Sequence, residues 1–260
     1  MSGAGAGAAP TVSVVIPVKD DAEALARCLG ALRAQSRPPD QLIVVDNGSS
    51  DGSAAVALAA GAHLVFCDEP GIPAASARGY DAATGDLILR LDADCVPGPD
   101  WIERMLSAFA QHPDAGALTG RAVFAEGPRF VRRALAALYL GAYFAATWPA
   151  LGHWALFGSD FGMRRDAWRD VAPSVHRHRD DIHDDLDLAF HLGERHRIRF
   201  VHGMPMAMSV RPFASASSFR TRFVRGVRTV VLHWPDDFPP RRWARLRAAA
   251  RSRDLQPWPG

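Results

Sequence analysis

Through its first half the chain alternates short apolar runs with segments whose apolar residues recur at helical spacing. "TVSVVIPV" precedes "DDAEALARCLGALRAQ", "QLIVVD" precedes "GSAAVALAAG", "HLVFC" precedes "PAASARGYDAATG", and "DLILRLDAD" precedes "PDWIERMLSAFAQ". Short apolar runs bounded by turn residues read as buried strands, and their alternation with helical segments reads as an α/β fold with a doubly wound, mostly parallel sheet. In the first helical segment Ala24, Leu25, Cys28, Leu29 and Leu32 make one apolar stripe, with Asp20 or Asp21 placed to cap its start. Ligands of such sheets bind at the carboxyl ends of the strands, and Asp20, Asp46 and the pair Asp92 and Asp94 all fall there.

Composition adds bounds. A chain of 260 residues, 48% hydrophobic, can bury one substantial core. The formal net charge of +2 points to no polyanion partner, and no nucleic acid is expected. Charge is uneven, however: residues 211–260 hold 11 Arg against 3 Asp, about +8. The cysteines Cys28, Cys67 and Cys95 have neither metal-ligand spacing nor an even count, which fits free thiols in the cytoplasm. The opening "MSGAGAGAAP" lacks the basic flank and apolar core of a signal peptide and reads as a short disordered tail. The expected organisation is therefore a tail over residues 1–10, a main domain over 11–210 and a basic amphipathic segment over 211–260.

The chemistry starts from aspartate. With 23 Asp in 260 residues, about two D-x-D matches are expected by chance, and two occur, at 92–94 and 185–187. Spacing alone thus carries no weight; position does. Carboxylates at i and i+2 on extended chain point the same way and repel unless positive charge lies near, and a divalent cation is the usual remedy. Other nucleotide-binding designs are unsupported: "VIPVKDDAEAL" after the first strand has no glycine, and G-x-x-x-x-G-K-[ST] occurs nowhere. Carboxylates can hold a diphosphate only through a metal ion.

"VSVVIPVKDDAEALARCLGALRAQSRPPDQLIVVDNGSSDGS", then "ILRLDAD", then "GSDFGMRRDAW" and "DDLDLAFHL" resemble, in that order, the family 2 glycosyltransferases with the GT-A fold. The resemblance covers roughly residues 11–200. It implies a nucleotide-binding half over 11–125, an acceptor half over 126–210, and a metal-dependent, inverting transfer of sugar from a nucleotide-sugar donor (UDP-, GDP- or dTDP-linked). The acceptor would be an unidentified glycan, lipid or small-molecule hydroxyl. It further implies that Pro17, Val18 and Asp20 flank the nucleotide, that Asp46 meets its base, and that Asp92 meets the ribose or the metal shell. Asp94 would ligate Mn²⁺ or Mg²⁺, and Arg78 would lie near the nucleotide. Asp160, Arg164 and Asp184 would belong to the sugar or acceptor region. Three positions depart from the family pattern: Gly79, Asp81 and Asp160, the last standing where Asn is usual.

Of the acidic run, Asp185 corresponds to the family's catalytic base. An acceptor hydroxyl is a poor nucleophile at neutral pH, and a carboxylate in reach must take its proton. A charged helix start would explain Asp180, Asp181 and Asp184 equally well. His176, His178 and His183 read as a solvated loop, since no regular ligand spacing accompanies them. Two readings from other classes stay open: a non-catalytic nucleotide-sugar binder or partner subunit, and a nucleotidyltransferase, whose basic, glycine-rich phosphate loop is missing here.

Two segments bear on membranes. Residues 134–159 carry no formal charge, and about 20 such residues could span a bilayer. A single span would separate Asp94 from Asp185, so a buried or interface-lying helix is expected, with partial insertion as the alternative. "SSFRTRFVRGVRTVVLHW" sets Phe219, Phe223, Val227, Val230 and Val231 on one helical side, which suits docking on the core or resting on anionic lipid. The expected location is cytoplasmic, with peripheral contact at the inner face of the membrane.

Overall fold

A computed structural model of the protein describes residues 9–125, 128–208 and 216–254. The strands β1 (Val12–Val18), β2 (Gln41–Asp46), β3 (His63–Phe66) and β4 (Leu87–Arg90) follow the apolar runs, and they pair in parallel in the order β3-β2-β1-β4. Between and after them come α1 (Ala22–Arg33), α2 (Ser53–Ala59), α3 (Ile72–Ala82) and α4 (Trp101–Gln111). Every residue of β1 is buried, so its side chains alternate between two cores: Val14 and Ile16 on the side of Leu25 and Trp101, Val15 on the side of Tyr80 and Phe161.

Beyond β4 the sheet turns mixed. β5 (Val96–Pro97), β6 (Ala115–Phe124), β7 (Phe161–Arg164) and β8 (Arg197–Met208) complete an eight-stranded order β3-β2-β1-β4-β7-β6-β8-β5. β7 runs antiparallel to β4, with Arg90 opposite Phe161 and Leu87 opposite Arg164. This α/β architecture is a doubly wound, largely parallel sheet with an appended half. Its strand β4 is shorter than the apolar text implied: it ends at Arg90, and Asp92 and Asp94 occupy the turn after it.

Two loops are locked together at the carboxyl ends of β1 and β2. Asp20 accepts hydrogen bonds from the backbone N–H and hydroxyl of Ser50, at 2.7 and 3.0 Å, while its own backbone takes φ +50°. A non-glycine residue at positive φ is strained and persists only where its surroundings hold it. Asp21 stands at the N-cap of α1 but makes no side-chain cap. Asp51 of the neighbouring loop instead accepts from Ala22 N–H at 2.9 Å, so the helix start is capped across the two loops.

The remaining helices are α5 (Arg129–Leu151), α6 (Arg165–Val171), α7 (Asp184–Arg195), α8 (Ala216–Asp237) and α9 (Pro239–Asp254). Helix α5 is long and apolar enough to cross a membrane over Phe130–Leu151, and only 33% of its apolar window is buried. The buried part, including Leu140 and Leu151, packs on both cores, whereas Phe130 and Leu138 are 90% and 71% exposed.

Helix α8 is amphipathic, and of its two expected orientations it takes the one with the apolar stripe outward. Its inward face is polar: Thr229, His233 and Asp237, four residues apart, are all buried. Phe223, Val227, Val231 and Trp234, followed by Phe238, face outward, each more than two-fifths exposed. Val230 alone of the predicted stripe turns toward the core, and the side chain of Phe219 lies outside the described residues. Nor is the basic tail all surface. Arg242 is fully buried, donating to the carbonyls of Leu151 and Phe190 at 2.8 Å each and pairing with Asp237.

Candidate active site

The turn after β4 and the start of α7 meet through a buried arginine. Arg90 is 3% exposed at its side chain and lies 2.9 Å from Asp92 Oδ1 and 3.4 Å from Asp184 Oδ2. A buried guanidinium stays charged and must be paired. It supplies positive charge to Asp92 and Asp184, and it joins two motifs 92 residues apart in sequence. Nothing in the D-x-D text named this residue, yet a charged side chain inside the apolar run "LILRL" was a usable signal, because buried charge persists only with partners.

Around Arg90 the groups are fixed one by one. Asp92 accepts from the Ser159 hydroxyl at 2.8 Å, and Asp184 accepts from the Ser76 hydroxyl at 2.9 Å. Asp185 is held at both oxygens, Oδ2 by Gly158 N–H at 2.9 Å and Oδ1 by Leu186 N–H at 2.8 Å, with His183 at 3.8 Å. Gly158 has to be glycine: a side chain there would run into the Arg90 guanidinium and come within 3.2 Å of Asp185 Oδ2. Burial, reinforced by the neighbouring Asp184 charge, raises the Asp185 pKa above the ordinary carboxylate value. Such a carboxylate is a stronger base than a solvated one.

Asp92, Asp94 and Cys95 bring donor atoms within 4.8 Å of one another. Burial pushes the Cys95 thiol pKa well up, so that sulfur stays protonated and two half-buried carboxylates remain as the ligands. Oxygen donors open to one side suit Mg²⁺ or Mn²⁺, which keep waters and phosphate oxygens in their shells.

Other expected residues lie as follows. Pro17 and Val18 end β1 beside Asp46, which is buried and accepts from Ser49 N–H at 2.8 Å. Asp20 faces Ser50, as above, and Arg78 is exposed on α3. Asp160 does not bring charge to a sugar pocket: it is fully buried, its Oδ1 accepting from the Trp101 indole at 2.8 Å, and burial pushes its pKa up to about 7. Arg164 sits at the opposite end of β7 from the carboxylates, donating to the Ala115 carbonyl and lying over the Phe109 ring. Two departures from the family pattern have structural causes. A side chain at Gly79 would collide with Val15 and Val45, and Asp81 accepts from the Trp168 indole at 3.0 Å and pairs with Arg177 at 2.6 Å.

A parallel nucleotide-type sheet extended by a mixed half, with carboxylates at the strand ends, defines an α/β protein of the GT-A type. Residues 13–171 match glycosyl transferase family 2, and the chain belongs to that family. It is 35% identical over 109 residues to the glycosyltransferase AglE of Haloferax volcanii, covering 39% of this chain and 36% of AglE. It is 37% identical over 113 residues to the undecaprenyl-phosphate 4-deoxy-4-formamido-L-arabinose transferase of Sodalis glossinidius, covering 40% and 35% of the two chains. The matches thus span about a third of these relatives' lengths. The mannosyltransferase PcManGT of Pyrobaculum calidifontis, solved with GDP-Man and Mn²⁺, shares the fold at a TM-score of 0.64 and 18% identity, over 96% of this chain and 77% of that one.

Proposed function

We propose that the protein is an inverting glycosyltransferase that moves a sugar from a nucleotide-sugar donor to an acceptor hydroxyl. The observation that carries this reading is the Arg90 bridge, which brings the Asp92–Asp94 turn and the Asp184–Asp185 helix start to one place at the carboxyl end of the sheet. Asp94, with Asp92, would hold the divalent cation, Mn²⁺ or Mg²⁺; the neighbour solved with GDP-Man carries Mn²⁺. When bound, that ion offsets charge on the leaving diphosphate. Pro17, Val18, Asp20, Asp46 and Arg78 contribute to nucleotide binding.

Asp185 takes the acceptor proton. Asp184 is already engaged by Arg90 and the Ser76 hydroxyl, whereas burial raises the basicity of Asp185, whose oxygens accept from the Gly158 and Leu186 N–H groups. A single displacement from the face opposite the leaving group inverts the anomeric centre. A panel of UDP-, GDP- and dTDP-sugars tests the reading through nucleoside diphosphate release with Mn²⁺ and with EDTA. Release from one donor class in Mn²⁺, lost in EDTA, is the expected result; release that is equal in EDTA contradicts the metal-bridged site.

The acceptor is a lipid-linked or envelope glycan precursor, reached from the cytoplasmic side. Support comes from relatives that act on undecaprenyl phosphate and from the outward apolar stripe of α8, flanked by exposed Arg220, Arg222 and Arg228. An apolar face beside arginines suits anionic lipid headgroups. The three cysteines are unpaired and buried, in keeping with a reducing compartment. Flotation with anionic liposomes should recover the protein at low salt and release it at high salt. Val227→Asp with Val231→Asp should abolish recovery, and absence from liposomes at every salt concentration would contradict the membrane reading.

A further inference from the structure

One face of α7 carries chemistry that the transfer reaction does not use. Asp187 is 4% exposed at its side chain and turned away from Asp185, and three histidines converge on its Oδ1. His176 Nδ1 lies 2.7 Å from that oxygen, His233 Nε2 2.9 Å and His191 Nε2 3.7 Å. The histidines come from the loop before α7, from α8 and from the next turn of α7 itself. The four donor atoms lie within 4.8 Å of one another. His176 thus does not belong to a solvated loop with His178 and His183.

Two hydrogen bonds account for His176 and His233 but leave His191. Its Nε2 is buried without a hydrogen-bond partner among the described residues, a state that costs about 1–3 kcal/mol if nothing fills it. A carboxylate oxygen offers two lone-pair directions, and His176 and His233 take both. A metal ion at the point of convergence would use all three imidazoles and the carboxylate together. In a tetrahedron with bonds of about 2.0–2.1 Å, donors stand about 3.4 Å apart. The three distances to Asp187 Oδ1 bracket that value, so small side-chain adjustments suffice.

The surroundings are those of a ligand set. Asp187 and His191 are at i and i+4 on one helix, the spacing that puts two ligands on one face. His176 N–H holds the second oxygen of Asp187 at 2.9 Å. On the far side of the His233 ring, Nδ1 lies 3.4 Å from Asp237, and the ring stacks on Phe190 with centroids 4.1 Å apart. Outer carboxylates and packed rings of this kind fix the tautomer and direction of ligating histidines. His176 is 36% exposed at its side chain, which leaves a path from solvent.

We propose that His176, Asp187, His191 and His233 bind one divalent transition-metal ion of the zinc class, tying α8 and the preceding loop to the helix that presents Asp184 and Asp185. Three imidazoles and one carboxylate select zinc or cobalt over Mg²⁺, which prefers oxygen. The site is distinct from the carboxylate pair Asp92 and Asp94, and its test does not depend on transferase activity.

The test uses the full chain, stripped with a chelator and then titrated with Zn²⁺ and separately with Co²⁺. One equivalent of Zn²⁺ should bind and raise Tm, and Co²⁺ should give the intense visible absorption of four-coordinate nitrogen and oxygen ligation. Asp94→Asn should keep both signals. His191→Ala should weaken Zn²⁺ binding by at least about 10²-fold, the upper end of the effect of losing only an outer partner. Because His191 Nε2 makes no hydrogen bond among the described residues, the loss of Zn²⁺ in His191→Ala reports the ligand, with Tm in chelator measured for both chains as the control for its lost packing on His176 and His233. His233→Ala should lose the cobalt spectrum as well. A wild-type chain that takes up no Zn²⁺, uptake unchanged in His191→Ala, or uptake lost in Asp94→Asn would each overturn the proposal.

Discussion

Asp185 and Asp187 stand two positions apart at the start of one helix, and the fold gives them opposite surroundings. Asp185 looks toward Gly158 and Arg90, and burial and the Asp184 charge raise its pKa against the opposing pull of His183 and Arg90. Asp187 looks toward α8. Burial works to raise its pKa too, but hydrogen bonds from its histidines outweigh that and hold it well below the ordinary carboxylate range. Chemical identity is the same on both faces, so the difference lies in partners. At Asp185 burial and the Asp184 charge outweigh the backbone N–H bonds that favour the ionised form; at Asp187 the imidazoles outweigh burial.

Breaking the first face should have the largest effect. Arg90→Met removes the cation between Asp92 and Asp184 and leaves two partly buried carboxylates without it, so urea denaturation should show a loss of about 1.5–3 kcal/mol. Turnover should fall with it, since the turn after β4 and the start of α7 lose their common anchor. Stability within about 1 kcal/mol of wild type would mean that the bridge does not hold the site together.

A third buried carboxyl sharpens the contrast, because its bonded partner is the neutral indole of Trp101 and its second oxygen has no partner among the described residues. Asp160 has a folded pKa of about 7 against 3.8 as the ordinary value. Between those values the unfolded chain has released the proton while the folded chain retains it, so stability falls as pH rises. Asp160→Asn, which restores the amide usual in the family, should therefore raise Tm by a few degrees at pH 8 and change it little near pH 4. A gain equal at both pH values would contradict the burial argument.

The parallel half of the sheet was legible in the text because its rules are local. Buried parallel strands need apolar runs and an amphipathic helix needs an apolar stripe; β1 to β4 and α1 to α4 follow those signals in order, though β4 ends at Arg90, short of the apolar run. What joins the elements was not legible. Arg90 finds Asp184 94 residues along the chain, Asp51 caps a helix from another loop, and His176 meets His233 across α7. Helix α8 was left open between core and lipid for a related reason. Its periodicity was read correctly as amphipathic, but a stripe shows only that two faces differ, and here the polar face is buried because Asp187 and Arg242 give it partners. The aspartates at the strand ends were found by position, while their roles come from the resemblance to the family and from neighbours that only the fold assembles.

The division of labour between Asp94 and Asp185 is tested most directly by measuring nucleotide affinity and kcat in Mn²⁺ for Asp94→Asn and Asp185→Asn, with Tm as the control for folding. That control matters because Asn at 185 would face one of its two backbone N–H donors with an amide N–H of its own. Asp94→Asn should weaken metal-dependent nucleotide binding and turnover together, since it removes a charged ligand. Asp185→Asn should bind nucleotide as the wild type does and lose about 10²-fold or more in kcat, the scale of a missing general base. Wild-type turnover in folded Asp185→Asn would contradict the assignment of the base and the account of the site built on it.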